Sequence, residues 1–211
     1  TQGVSSAASD VYKRQLNSVH HEIVPDRIEA GSFAIAGCMV DSDIVINDMR
    51  PSDLELFLEK LKQTGSEVEI SKSSIYIKSS KRPKPVNITT EVYPGFPTDL
   101  QAQFMALMSI ADGNAFIKET IFENRFMHVP ELLRMGANIS LNNQTANIKG
   151  VKSLKASRVM ASDLRASMSL ILAALASVGT SEIDGIHHLD RGYEKIEDKL
   201  SNIGADIRRS K

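Results

Sequence analysis

The chain has 211 residues and a formal net charge of -1, from 25 Lys and Arg against 26 Asp and Glu, a balance with no general pull toward nucleic acid or an anionic membrane. Hydrophobic residues at 42% and charged residues at 24% exclude disordered and collagen-like classes, and the length predicts one large domain or two small ones. The single cysteine, Cys38, excludes an internal disulfide and a Cys-rich zinc site, the absence of Trp argues against a stacking platform for single-stranded nucleic acid, and the longest apolar run, near 170–176, falls far short of the roughly 20 residues of a membrane span. With no signal peptide visible, a cytoplasmic protein is the expectation.

Residues 1–15 are polar and show no apolar period. They read either as a disordered tail or as translated read-through of a sequencing adapter, the second being favoured, and the chain is expected to begin mid-protein. From residue 26 onward one grammar repeats three times, at about 26–78, 99–149 and 163–209. Each unit opens on an aspartate (Asp26, Asp99, Asp163) ahead of a stretch apolar nearly all round, which predicts buried helices over 28–40, 99–111 and 163–176. Strands are predicted next, over 44–46, 115–121 and 181–186. A second helix follows with one apolar stripe: Leu54, Phe57, Leu58 and Leu61; then Val129, Leu132 and Leu133; then Ile196, Leu200 and Ile203. Gly65, Gly136 and Gly204 stand where a left-handed residue ends a helix. Alternating runs at 66–70, 137–141 and 205–208 read as half-buried strands, with more strands at 74–78, 86–91 and 145–149. The unit is helix, strand, helix, strand, strand. Three such units predict an α/β fold with helices bundled inside sheets and approximate threefold symmetry.

In such a unit the strand runs back to the start of the first helix, where the second helix also begins. Helix N-termini gather at one edge and offer unpaired N–H groups and partial positive charge to anions. The strand-to-helix loops carry Arg50, Arg125 and Arg191, and Arg27 and Arg165 follow the opening aspartates of units one and three. Arginine suits bidentate phosphate and carboxylate binding, though each arginine can equally brace its own loop. Asp26 and Asp163 read as N-caps. Asp99 is less plain, because Thr98 can serve as the cap and free Asp99 to face the anion edge. His128 reads as a helix-surface residue. His20-His21 and His187-His188 lack the partners of a metal site, so no metal is expected. Cys38 reads as inert core.

Four runs then carry a resemblance: Phe96-Pro97-Thr98-Asp99-Leu100-Gln101-Ala102-Gln103-Phe104, Phe122-Glu123-Asn124-Arg125-Phe126-Met127-His128, Ala161-Ser162-Asp163-Leu164-Arg165-Ala166, and the stretch from Asp190-Arg191-Gly192-Tyr193 to Leu200. Over roughly 19–209 the sequence resembles the C-terminal half of the UDP-N-acetylglucosamine 1-carboxyvinyltransferase family of enolpyruvyl transferases. The resemblance implies an inside-out α/β barrel with threefold internal repetition, residues 16–211 forming this domain. It implies transfer of enolpyruvyl from phosphoenolpyruvate to the 3′-hydroxyl of UDP-N-acetylglucosamine, the first committed step of peptidoglycan synthesis, with no cofactor. It implies Asp99 as general base, the Ile121 backbone at the nucleotide sugar, Arg165 and Arg191 facing the donor's phosphate and carboxylate, and Arg125 as another arginine of the cleft. The family's N-terminal Lys-Asn pair, further arginines and a mobile loop whose Cys acts in proton transfer to phosphoenolpyruvate have no counterpart here, and Cys38 does not take that role. The expected partner is therefore a missing N-terminal domain, and the half alone is expected to be inactive. Two other readings stay open: 5-enolpyruvylshikimate-3-phosphate synthase, and a non-enzymatic repeat domain that binds anions.

Overall fold

Three helices with almost no polar face have to be buried against one another, and their burial organises the molecule. In the computed structural model, which describes residues 18–210, α1 (Arg27–Met39), α3 (Gln101–Ser109) and α5 (Leu164–Leu175) pack mutually at the centre. Every residue of α3 is buried. Each full burial of a Leu, Ile, Met or Phe side chain contributes about 1.5–3 kcal/mol.

Around this bundle unit one adds β1 (Asp43–Ile46), a 3₁₀ turn at Pro51–Leu54, α2 (Glu55–Gln63), β2 (Glu67–Ile70) and β3 (Ile75–Lys78), with strand order β1-β3-β2, all antiparallel. Unit two follows a short β4 (Ile88–Thr89) and a 3₁₀ turn at Thr98–Leu100 with α3, β5 (Asn114–Lys118), α4 (Val129–Arg134), β6 (Asn138–Asn142) and β7 (Thr145–Lys149). Its sheet runs β4-β5-β7-β6, and β4 lies parallel to β5. The inward positions of both sheets, such as Ile75, Ile77, Ala115, Ile117, Ala146 and Ile148, meet the helices at near-zero exposure. An aromatic chain ties unit one to unit two: Phe57 on α2 meets Phe96 with ring centroids 5.8 Å apart, and Phe96 meets Phe104 on α3 edge-on at 5.3 Å.

Unit three departs from the expected repeat. After β8 (Leu154–Lys155), β9 (Arg158–Met160) and α5 come β10 (Ser177–Val178), β11 (Glu182–Asp184), a 3₁₀ turn at Ile186–Arg191 and α6 (Ile196–Asn202). No strand forms at 205–208. In units one and two the strand after the glycine lies in a hairpin with the next strand, β2 with β3 and β6 with β7. Residues 205–208 have no such partner, and an unpaired row of backbone groups is not a strand. Instead Arg209 turns back to grip Asp190 and Glu197. The linker strands β8 and β9 pair parallel with β10 and β11, as β4 does with β5, a use of the inter-unit segments that the repeat grammar did not show.

Other expectations divide. Gly65, Gly136 and Gly204 take positive φ of 90°, 86° and 100°, as a helix stop requires. Leu54, Phe57, Leu58 and Leu61 are all buried, but Leu133 and Ile203 point outward and fall off their stripes. The strands predicted over 115–121 and 86–91 stop short, at Lys118 and Thr89, because the chain leaves the ladder to build the loops described below. Among the described residues no helix is long and apolar enough to cross a membrane. The leader at 1–15 lies outside the described residues.

Candidate functional site

The three opening aspartates begin alike in sequence and end differently in structure. Asp26 caps α1, its Oδ1 accepting from the N–H of Ile28 (2.7 Å) and Glu29 (3.1 Å). Asp163 caps α5 in the same way, from Arg165 (2.8 Å) and Ala166 (3.1 Å). Asp99 caps nothing. It sits within the 3₁₀ turn Thr98–Leu100, and no side chain caps that turn or α3. Thr98 does not take the cap either. Its hydroxyl donates to Glu119 Oε2 at 2.8 Å.

Relieved of a structural duty, Asp99 meets two arginines. Arg165 Nε lies 2.5 Å and Arg125 Nη1 3.2 Å from Oδ1. Both use the same oxygen, and among the described residues no protein hydrogen bond goes to Oδ2. The Asp99 side chain keeps 40% of its exposure, against 14% for Arg125, so the carboxylate is partly open to solvent while the cation beside it is more enclosed. Arg125 lies over the Phe122 ring, its guanidinium carbon 3.9 Å from the centroid. Arg165 is fixed at its backbone by the Asp163 cap. A carboxylate oxygen free for a ligand, beside two cations whose remaining N–H groups still have donor capacity, can accept a proton from a hydroxyl and bind an anion.

Ile121 stands on the loop between β5 and α4, its N–H donating to Glu119 Oε1 at 2.8 Å. Arg191 ends the 3₁₀ turn at Ile186–Arg191 and is exposed. It is not within hydrogen-bond reach of Asp99, but its loop is anchored beside the site. Gly192 packs against the Leu164 side chain, where a Cβ would come within 2.8 Å of a methyl carbon and push that side chain aside. Tyr193 enters the core and its hydroxyl lies 2.7 Å from Ser32 Oγ and 3.4 Å from Gln103 Nε2, so residues of all three units meet there. Burial raises the Tyr193 pKa. Asp190, next to Arg191, takes two bonds from Arg209 (2.9 and 2.7 Å), which lower its pKa.

The remaining arginines lie apart. Arg27 donates to the Asp53 carbonyl and stacks 5.0 Å from the Tyr93 ring centre, a brace. Arg50 lines a separate cleft of about 420 Å³ with Lys62 and Lys72, to which none of Asp99, Arg125, Arg165 and Arg191 contributes. His128 overturns its reading as a surface residue. It is 2% exposed, because it stands at the start of α4 where that helix meets the core, and desolvation pushes its pKa down to about 4. Burial likewise raises the Cys38 thiol to about 11, in keeping with inert core. Among the described residues no group of three His, Cys, Asp or Glu is placed to hold a metal.

Sequence reasoning passed over Glu119, although a signal exists. Along β5 the inward positions are Ala115 and Ile117, and period two makes residue 119 the next one inward, an acid where an apolar residue is due. It is 1% exposed.

Comparison with known proteins gives the chain's relatives. The UDP-N-acetylglucosamine 1-carboxyvinyltransferase of Geobacter metallireducens is 53% identical over 198 residues, covering 94% of this chain and 48% of that protein. The Myxococcus xanthus protein of the same name is 50% identical, covering 93% of this chain and 47% of its own. The chain spans about half the length of the curated relatives it matches. Among solved structures the enolpyruvyl transferase NikO from Streptomyces tendae superposes with a TM-score of 0.79 at 29% identity, over 88% of this chain and 44% of that one. EPSP synthase from Acinetobacter baumannii, at 18% identity and a TM-score of 0.71, shares the fold. The fold is thus the helix-centred α/β arrangement of enolpyruvyl transferases. The sequence profile of the EPSP synthase (3-phosphoshikimate 1-carboxyvinyltransferase) family matches residues 10–200, and the chain belongs to that family.

Proposed function

We propose that this chain is half of a UDP-N-acetylglucosamine 1-carboxyvinyltransferase, which moves enolpyruvyl from phosphoenolpyruvate to the 3′-hydroxyl of UDP-N-acetylglucosamine in the cytoplasmic opening step of peptidoglycan synthesis. The observation that carries the reading is Asp99, freed from capping, with Oδ1 held by Arg125 and Arg165 and Oδ2 open. The relatives' names and their identity near one half support the substrates.

Chemically, the sugar hydroxyl oxygen bonds to the enolpyruvyl carbon that carried phosphate, the bond from that carbon to the phosphate oxygen breaks, and phosphate leaves with the electron pair. The hydroxyl proton goes to Asp99. An alcohol is a poor nucleophile until its proton is taken, and a partly exposed carboxylate with one oxygen free of protein hydrogen bonds can take it. Arg165 and Arg191 hold the donor's phosphate and carboxylate, and with Arg125, another arginine of the cleft, they offset the charge on phosphate as it departs. Because Arg125 and Arg165 are preset on one carboxylate, little reorganisation is left to the reaction. The backbone at Ile121 meets the nucleotide sugar. The facing half of a full-length protein supplies the rest of the cleft, and the 211-residue chain alone carries out no transfer.

Phosphate release and calorimetry test this in a full-length protein carrying this half. Binding of UDP-N-acetylglucosamine is expected, with phosphate released only when phosphoenolpyruvate is also present. Binding of shikimate 3-phosphate in its place would transfer the reading to EPSP synthase, and anion binding without phosphate release would leave a non-enzymatic module.

A further inference from the structure

A buried carboxylate with four hydrogen bonds is the least ordinary group near Asp99. Glu119 Oε1 accepts from Thr90 Oγ1 (2.7 Å), Ile121 N (2.8 Å) and Phe122 N (3.2 Å), and Oε2 accepts from Thr98 Oγ1 (2.8 Å). Among the described residues no cation pairs with it. Its charge is met wholly by N–H and O–H donors, charge-assisted bonds of the stronger kind. The anchor is firm on its far side as well. The Glu119 N–H donates to the Gln144 carbonyl, Thr90 N to the Lys118 carbonyl, and Thr120 N to Thr90 Oγ1.

The four donors come from three places: the end of β4, the turn that carries Asp99, and the loop that carries Ile121 and Arg125. Contacts then close a ring. Glu119 holds Thr98, which precedes Asp99. Asp99 accepts from Arg125, Arg125 lies on Phe122, and the Phe122 N–H returns to Glu119. No other described side chain bonds both the Asp99 turn and the Ile121–Phe122 backbone.

We infer that Glu119 is a positioning residue for the transfer reaction: its two carboxylate oxygens fix the Asp99 turn against the Ile121–Arg125 loop and so set where Asp99 stands relative to the hydroxyl and to Arg125. The inference rests on the reading of Asp99 as the group that takes the proton. Glu119 touches neither substrate in this role. It caps no helix: where Asp26 and Asp163 accept from the N–H groups of their own helices, Glu119 accepts from the Thr98 hydroxyl and the loop amides, and the Asp99 carboxylate is left to the two arginines.

The test cuts one bond of the ring without emptying the buried site. Thr98→Val keeps the side-chain shape and removes the hydroxyl, while Glu119 keeps its other three donors. In a full-length transferase carrying this half, Thr98→Val should lower kcat about 10- to 100-fold, as misplacement by a fraction of an ångström to one ångström does. KM for UDP-N-acetylglucosamine should stay within about threefold, since misplacement touches the reacting centre more than binding. Thr98→Ser should restore kcat. In an Asp99→Asn background, Thr98→Val should change kcat no further. As a second, independent variant, Glu119→Gln should move the Ile121 and Phe122 amide resonances and speed their hydrogen exchange, with kcat falling alongside. A Thr98→Val enzyme within twofold of the parent in kcat, or a loss that repeats in full on top of Asp99→Asn, would overturn the inference and leave the base assignment standing. Full turnover by Asp99→Asn itself would instead remove the reading on which it rests.

Discussion

Asp26 and Asp99 occupy the same place in two copies of one unit, yet one is consumed by the backbone and the other is not. Around Asp26 the chain enters α1 directly, and the orphan N–H groups of the first turn need an acceptor, which the aspartate supplies. Around Asp99 the chain enters through a 3₁₀ turn, Glu119 gathers the adjacent hydroxyl and two loop amides, and the aspartate is left to two arginines. The difference teaches that a repeated fold need not use a repeated residue alike. The repeat supplies three similar corners, and at one of them the aspartate caps no helix and is paired with arginines instead.

The sharpest way to break this comparison is to give both aspartates the same substitution. Asp99→Asn retains size and hydrogen bonding but cannot accept a proton, so turnover of a full-length enzyme carrying this half should drop about 10²- to 10⁴-fold, the ordinary range for a general base. Nucleotide-sugar binding should be nearly unchanged by calorimetry. Stability should move by at most about 1 kcal/mol, because the partly exposed Asp99 pairs are of the kind that contributes little. Asp26→Asn should leave turnover alone, since Asn caps about as well as Asp. Equal losses at the two positions would mean that freedom from capping carries no functional meaning.

How far the comparison was visible in the sequence depends on which bonds were local. Helix burial, the glycine stops and the caps at Asp26 and Asp163 are set by residues within a few positions of one another, and these were legible. The suspicion that Asp99 was spare was legible too, from Thr98 beside it, but the wrong partner was assigned. Thr98 bonds Glu119, 21 positions away, and no local rule reaches that far. His128 was misplaced for a related reason: the helix it opens is short, and a six-residue stretch has too few turns to show which face is buried. The missing strand at 205–208 has the right alternation but no partner, and alternation alone cannot supply one.

His128, buried at the start of α4, offers a test by pH. Its folded-state pKa of about 4 lies below the ordinary 6.5, because burial disfavours the cation, while the Asp163 charge opposes this more weakly. The unfolded chain therefore binds the extra proton first. Stability is intact above pH 6.5 and falls as pH drops from there toward 4, by up to about 3 kcal/mol for this one group. Urea unfolding of the 211-residue chain at pH 7 and pH 4.5 should show the loss. His128→Gln, weaker overall, should show a shallower slope between the same two pH values. Parallel slopes in the two proteins would show that His128 already carries its proton, or an exposed ring, in the fold.

The smallest expected effect closes the comparison from the structural side. Asp26→Ala removes the acceptor for the N–H groups of Ile28 and Glu29 and leaves them to water, which reaches this exposed helix start. The loss should be about 1 kcal/mol, the usual worth of an N-cap. Asp26→Asn should recover all but a few tenths of it, since Asn offers the same acceptor geometry without the charge that favours a helix N-terminus. Asp99→Ala, measured by the same urea titration, should fall outside this pattern. There is no cap to lose, and its change should come from releasing Arg125 and Arg165, so added salt should shrink it, whereas the Asp26→Ala loss should persist in salt because a hydrogen bond rather than a long-range charge is missing. If instead the two alanine variants lose the same stability with the same salt dependence, Asp99 is a cap in solution and the corner has not been freed.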